Sequence, residues 1–170
     1  MYNTNEFYYV EGLTKKTCNK IRNSAEGKWK ESRVDLKKDY TDEERITGSK
    51  APPGTDKKVR ISDVVWTHDQ WICDTIWPYM EEANEQAGWK YDITAAESMQ
   101  ITRYKKGGFY YFHKDGKGDH LSAYDEPENE FKHGRVRKLS MTVLLNDNYE
   151  GGEFQFATLY EGKCEIHTPE

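Results

Sequence analysis

The sequence predicts an α+β domain in which N-terminal helices buttress an antiparallel double sheet. Two observations carry this prediction. Apolar residues recur at helical spacing up to Gly88, and after it the chain changes to short segments of strand-like composition separated by turn residues. The 170 residues fit a single domain, 1–170, with one hydrophobic core.

The helical half contains start and stop signals for two helical regions. Thr14 is a candidate N-cap for a helix that reaches about Ser24, and Thr67 is a candidate N-cap for a second helical region that stops near Gly88. Pro78 interrupts the second pattern, which predicts either a kink or two helices in series. The apolar positions of that pattern are Trp71, Ile72, Ile76, Tyr79, Met80, Ala83 and Ala87.

The remaining part of the first half is predicted to contain little regular structure. Residues 7–12 read as a short strand. Residues 27–58 are polar and contain Pro52, Pro53 and Gly54, which predicts a long loop or flexible insertion with a short strand near 32–36.

The second half is predicted to be built from strands. Their connections carry turn chemistry, as at Gly107-Gly108 and Gly151-Gly152. The predicted strands are Trp89–Thr94, Ser98–Tyr104, Phe109–His113, Arg135–Asn146, Glu153–Thr158 and Lys163–Thr168.

Composition narrows the functional class. The net charge of −5 and the pI of about 5.6 argue against a general nucleic-acid binder. We expect no membrane span and no signal peptide, because the chain has no apolar run of the required length and starts with polar residues. Cys18, Cys73 and Cys164 form no CxxC pair and read as reduced, buried thiols, so a cytoplasmic location is expected.

His113 and Asp115 are the candidate metal ligands. Residues i and i+2 of a strand point to the same face, so one imidazole and one carboxylate can converge on a cation. This donor pair suits Fe(II), Mn(II) or Zn(II). A His-x-Asp pattern alone is more often a structural pair, so its neighbourhood decides the interpretation.

That neighbourhood resembles a known family. Tyr104, Gly107, Tyr110, His113 and Asp115 match the Y-x-x-G-x-x-Y-x-x-H-x-D pattern of prolyl 4-hydroxylase-type Fe(II)/2-oxoglutarate oxygenases. Downstream, the segment 137–154, with its Leu-Asn-Asp turn and Gly-Gly-Glu, looks like the next signature. The resemblance covers roughly residues 60–170 and is greatest to the PKHD-type bacterial and phage hydroxylases.

The resemblance implies a fold and a chemistry. The fold is a double-stranded β-helix, a jelly roll of the cupin-like type, and the site is a two-His, one-carboxylate triad. It implies Fe(II), 2-oxoglutarate and O2, with ascorbate as a candidate cofactor, and hydroxylation of a protein or peptide side chain, proline being a candidate. Tyr104, Tyr110 and Ser140 would face the cosubstrate. The alternative is that both tyrosines are core aromatics and Ser140 is an ordinary strand residue.

The family pattern also requires a distal histidine and a basic residue that pairs with 2-oxoglutarate. Neither stands in its expected context before Glu170, and His120 and His167 are the weaker substitutes. We therefore expect that C-terminal strands of the oxygenase domain are missing from these residues. Either the sequence is a truncated form of a longer enzyme, or it is a naturally shortened, non-catalytic metal-binding module. A structural or interaction domain is the third alternative.

Overall fold

The computed structural model describes residue 8 and residues 12–32, 34–35, 53–54, 59–115, 121–160 and 163–168. Most of the strand predicted over 7–12, most of the polar segment 27–58, and residues 116–120, which include His120, lie outside the described residues. The described elements, in chain order, are α1 (Lys15–Ser24), β1 (Lys30–Glu31), β2 (Val34–Asp35), β3 (Pro53–Gly54), β4 (Arg60–Ile61), β5 (Asp63–Thr67), α2 (Gln70–Gln86), β6 (Met99–Arg103), β7 (Phe109–Tyr110), β8 (Phe156–Tyr160) and β9 (Lys163–His167).

Helix α1 begins where the sequence predicts. The Thr14 side chain accepts a hydrogen bond from the Thr17 backbone N–H at 3.2 Å, so Thr14 is the N-cap. Cys18 and Ile21 form the buried side of the helix. The predicted bounds of this helix are confirmed.

Helix α2 begins later than predicted. Its N-cap position is Asp69, and the Thr67 hydroxyl instead accepts a hydrogen bond from the Asp69 N–H at 3.1 Å, ahead of the helix. One helix runs through Pro78, so the alternative of two helices in series was wrong. The predicted stop is confirmed, because Ala87 is the C-cap and Gly88 follows with φ +75°.

The described strands form four small sheets. One has three strands in the order β1-β5-β6, and the others are the pairs β2-β3, β4-β7 and β8-β9. The three pairs are antiparallel, with Val34 opposite Gly54, Arg60 opposite Tyr110 and Thr158 opposite Glu165. The predicted strands near 32–36, 98–104, 109–113 and 163–168 each contain a described strand, although β7 is shorter than predicted, and the strand predicted over 153–158 overlaps β8, which ends two residues further towards the C-terminus.

The residues divide into two compact units that interleave along the chain. The first comprises residues 1–30, 64–102 and 141–148, and the second comprises 31–63, 103–140 and 149–170. In the first unit, a buried cluster joins both helices to strands β5 and β6, and burial of each isoleucine contributes roughly 1.5–3 kcal/mol. The cluster consists of Ile21, Ala25, Val65, Ile72 and Ile101.

The strand predicted over 89–94 is absent. The Asn84 side chain donates to the Tyr91 carbonyl at 2.9 Å and accepts from the Tyr91 N–H at 3.0 Å. One amide side chain thus satisfies both backbone groups that a neighbouring strand would bind. Lys90 also has a φ of +54°, which is incompatible with extended backbone.

The strand predicted over 135–146 is also not formed as a paired strand. Residues 135–149 carry no ladder, yet side-chain burial alternates from Met141 to Asn146 as it would on a half-buried strand. The described sheets do not close into a barrel. Within the described part of the chain, no helix is long and apolar enough to cross a membrane.

Candidate metal centre

The candidate centre lies within the second unit and is anchored by the pairing of β4 with β7. Arg60 and Ile61 pair with Tyr110 and Phe109, and the Tyr111 N–H donates to the carbonyl of buried Val59 at 2.8 Å. These bonds fix the backbone at Tyr111, and the chain bends away after it.

His113 and Asp115 face each other, although not for the reason the sequence suggests. Strand β7 ends at Tyr110, so the two residues lie in a bend beyond it and not on one face of a strand. His113 Nε2 nevertheless lies 3.6 Å from Asp115 Oδ1. Both side chains are partly exposed, at 38% and 47%, so the pair is open to ions from solution.

A backbone carbonyl selects the tautomer of His113. Nδ1 lies 2.9 Å from the Tyr111 carbonyl oxygen, and a carbonyl only accepts, so Nδ1 carries the proton in this hydrogen bond. In the neutral imidazole, Nε2 therefore has a lone pair directed to the side of Asp115. Metal-binding histidines commonly use this arrangement, in which the second ring nitrogen is held by a carbonyl or carboxylate.

A hydrogen bond to Oδ2, the carboxylate oxygen that does not face His113, orients Asp115. The Ser140 hydroxyl donates to Oδ2 at 2.6 Å, which leaves Oδ1 facing His113. Arg137 Nη1 lies 3.8 Å from the same Oδ1, close enough for attraction between the charges but too far for a direct hydrogen bond. Ser140, which the resemblance assigns to the cosubstrate, thus contacts the candidate ligand Asp115.

The two tyrosines of the predicted site lie next to this pair, around Arg60. The Tyr110 ring stacks on the His113 imidazole with centroids 3.7 Å apart and planes inclined by 16°, and the Arg60 guanidinium lies 4.4 Å from the Tyr110 ring centre. Burial of the phenol raises the pKa of Tyr104, and the charge and hydrogen bond of Arg60 oppose that rise. Tyr104 is 48% exposed as a residue. All five predicted site residues therefore meet in one neighbourhood.

The geometry of the pair fits a bound cation. Metal bonds of about 2.0–2.1 Å to nitrogen and about 2.0–2.2 Å to oxygen together span about 4 Å. Two donor atoms separated by 3.6 Å can therefore bind the same ion. With neutral His113, two lone-pair acceptors oppose each other, and a cation between them relieves their repulsion.

A third protein ligand is not assembled in the described part of the chain. No group of three or more His, Cys, Asp or Glu side chains there is placed to hold a metal. His167 lies on β9, with Nε2 3.0 Å from the Thr158 hydroxyl. His133 lies 3.9 Å from Asp125, in a separate loop pair. The described residues thus bring together two candidate donors, whereas a facial triad requires three.

Arg60 and Arg137 belong to the site but were not predicted as site residues. Arg60 is only 7% exposed, which is unusual for arginine and signals a specific role. The sequence signal available was weak: Arg60 begins an alternating segment, Arg60-Ile61-Ser62, directly before β5. Its contact with Tyr110 arises from strand pairing across 50 positions of the chain, which a local pattern does not encode.

Comparison of the chain with family models, with curated proteins and with solved structures gave no match.

Proposed function

We propose that this chain is an Fe(II)/2-oxoglutarate-dependent dioxygenase domain that hydroxylates a protein or peptide side chain, with proline as the candidate residue. The observation that carries the proposal is the His113–Asp115 pair, whose facing atoms lie 3.6 Å apart while each outer atom is held by a hydrogen bond. The sequence motifs around the pair, which occur in the same order as in the oxygenase family, are the reason for proposing iron and 2-oxoglutarate as its ligands.

His113 and Asp115 would hold the iron. The Tyr111 carbonyl keeps the proton on Nδ1 and so leaves Nε2 as the donor, while Ser140 binds Oδ2 and so leaves Oδ1 as the donor. When bound, iron with 2-oxoglutarate and O2 supplies the oxidising power for hydroxylation of a C–H bond. The protein contributes the geometry of the donors and the surroundings of the ion.

The surroundings favour an anionic cosubstrate. Arg60 lies against Tyr110 and beside the phenol of Tyr104, and Arg137 lies beside Asp115. A dicarboxylate entering between these groups would meet two guanidinium groups and a phenol, all of which can donate hydrogen bonds to a carboxylate. This supports the assignment of Tyr104 and Tyr110 to the cosubstrate.

A second candidate function has a specific observation in its favour. Because the described residues assemble two donors and not three, the chain also fits a non-catalytic metal-binding module on the same fold. Such a module would bind the metal through His113 and Asp115 and would not turn over 2-oxoglutarate.

The test is anaerobic addition of Fe(II) and then 2-oxoglutarate to the metal-free chain. The proposed function predicts a weak visible charge-transfer band, followed by succinate formation when O2 is admitted. His113→Ala should abolish both, whereas His133→Ala, in the separate pair with Asp125, should leave both unchanged.

Three results separate the candidates. A band and succinate that both depend on His113 support the dioxygenase. Metal binding that depends on His113 without succinate supports the module. Absence of Fe(II) binding in the wild-type chain contradicts both.

A further inference from the structure

We propose that Arg60 is a positioning residue for the candidate metal ligand His113 and acts through the ring of Tyr110. The predicted effect of Arg60 on metal affinity rests on the proposed metal-binding function. The positioning of His113 by Arg60 is a property of the metal-free chain. It assigns a role to a residue outside the matched sequence motifs.

Arg60 is held rigidly. Its side chain is buried, and its Nε donates to the hydroxyl of Ser62 at 2.8 Å. Ser62 is itself 7% exposed, and its carbonyl accepts the Ser32 N–H at 3.0 Å. A long side chain fixed by packing and by a hydrogen bond has few rotamers left, so its guanidinium forms a firm surface.

Tyr110 lies against that surface. The guanidinium carbon of Arg60 is 4.4 Å from the centre of the Tyr110 ring, within the range of a cation–π contact. The two residues are also directly opposite in the β4-β7 pair, so backbone and side chains set the same register.

His113 in turn lies against Tyr110. The two rings are nearly parallel, with centroids 3.7 Å apart, which restricts rotation of the imidazole about its Cβ–Cγ bond. The Tyr111 carbonyl fixes Nδ1 at the edge of the same imidazole. The stacking contact with Tyr110 and the hydrogen bond to the Tyr111 carbonyl together direct Nε2 of His113 to Asp115. Arg60 contributes to this orientation because it holds the Tyr110 ring in place.

The first test is NMR of the metal-free chain with labelled histidine. Stacking should shift the His113 Hδ2 and Hε1 signals upfield. Tyr110→Phe should keep this shift, and Tyr110→Leu should remove it. Arg60→Met should reduce it by more than half, and Arg60→Lys, which keeps the charge but loses the planar guanidinium and the Nε–Ser62 hydrogen bond, should also reduce it. The His133 signals serve as the internal control.

The second test is the affinity for Co(II), measured by its visible d–d absorption. Arg60→Met should weaken binding about 10–100-fold, as loss of a group that orients a ligand commonly does. In a Tyr110→Leu background the same substitution should change the affinity by less than about twofold, because Arg60 acts through the ring.

Specific results would overturn the proposal. One is a folded Arg60→Met protein with wild-type His113 shifts, and another is an equal loss of Co(II) affinity with and without the Tyr110 ring. If Arg60→Met does not fold, Ser62→Ala decides, and unchanged His113 shifts in that variant contradict the proposal. If the wild-type chain binds no Co(II), the proposed function fails, while the NMR test still decides whether Arg60 positions His113.

Discussion

In the candidate centre, single hydrogen bonds select which atom of His113 faces Asp115 and which atom of Asp115 faces His113. Nδ1 of His113 is bound to a carbonyl and Oδ2 of Asp115 to a hydroxyl, so Nε2 and Oδ1 remain as the facing atoms. Residue types alone could predict that an imidazole and a carboxylate come together. They could not predict the tautomer, because the Tyr111 carbonyl is directed by a bend after β7 that has no sequence signature.

Removal of the Ser140 hydroxyl should weaken metal binding with little effect on stability. Ser140→Ala leaves Asp115 Oδ2 without its 2.6 Å donor, and the carboxylate then rotates more freely. We expect Mn(II) affinity to fall about 10-fold, the lower end of such effects. The free energy of unfolding should change by less than about 1 kcal/mol, because the bond is exposed.

Isothermal titration with Mn(II) measures this change. Ser98→Ala is the matched control, since its hydroxyl lies 3.4 Å from His68, away from the candidate ligands in sequence and in the other unit. Equal Mn(II) affinities in the two variants would show that Ser140 does not orient Asp115.

At the scale of elements, an ion-pair cluster links β5 to β6 and to the turn that follows β6. Asp63 Oδ2 lies 2.8 Å from Arg103 Nη2 and 2.9 Å from Lys105 Nζ. The hydrogen bond from Lys105, followed by that from Arg103, lowers the pKa of Asp63 below its ordinary value. The carboxylate is therefore more stable in the folded chain than in the unfolded chain.

This pKa difference predicts a defined pH dependence. A carboxyl group with a depressed folded-state pKa contributes its stability above the unfolded-state pKa of about 3.9, and this stability is lost as the pH falls through the folded-state pKa. Asp63→Asn should lower the free energy of unfolding at pH 7 by about 1 kcal/mol and flatten its decline below about pH 4. Urea unfolding at a series of pH values measures both effects.

Asp92→Asn, which alters an exposed aspartate between α2 and β6, is the control for the loss of one negative charge. The explanation would be wrong if both variants showed the same decline in acid as the wild-type chain.

The β6–β7 turn should distinguish two glycines that the sequence presents as equivalent. Gly107 has φ +79° and open space around its Cα, whereas a Cβ on Gly108 would meet the carbonyl oxygens of Lys105 at 2.8 Å and Ile61 at 2.9 Å. We expect Gly107→Ala to cost about 1 kcal/mol through left-handed backbone strain. Gly108→Ala should cost about 2–3 kcal/mol, because both obstructing atoms are backbone.

Urea denaturation compares the two variants. If the free energy of unfolding depends on urea concentration with the same slope in both, the difference between their midpoints gives the difference in stability. A smaller loss for Gly108→Ala than for Gly107→Ala would contradict the close approach of the turn to β4. The match to the family pattern identified Gly107 but gave no reason to expect a larger loss at Gly108, because the obstruction there comes from the backbone carbonyls of Lys105 and of Ile61, the second of which is far away in the sequence.

The elements also show which sequence signals were sufficient. Thr14 and Gly88 act locally, so their cap and stop positions were predictable. The strand predicted over 135–146 did not form as a paired strand, although side-chain burial alternates from Met141 to Asn146, because a strand also needs a neighbouring strand, and the local sequence does not specify which segment that is. In the same way, Asn84 replaced the expected neighbour of Tyr91 with a side-chain amide.

At the scale of the whole molecule, the candidate centre is confined to the second compact unit, although its residues come from three separated parts of the chain, near 60, 104–115 and 137–140. The chain carries a net charge of −5, which favours the approach of divalent cations. The double-stranded β-helix and the single-domain organisation stay predictions, because both depend on strand pairing beyond the small sheets described.

The most direct test of the central claim is an EPR titration of the metal-free chain with Mn(II). The account predicts a single site whose affinity falls at least about 100-fold in His113→Ala and in Asp115→Ala, because loss of a ligand should cost at least as much as the roughly 10–100-fold loss seen when a group that orients a ligand is removed. His133→Ala, from the His133–Asp125 pair with its 3.9 Å separation, should bind Mn(II) like the wild type. Binding that is absent in the wild-type chain, or that is unaffected by either ligand substitution, would contradict the account.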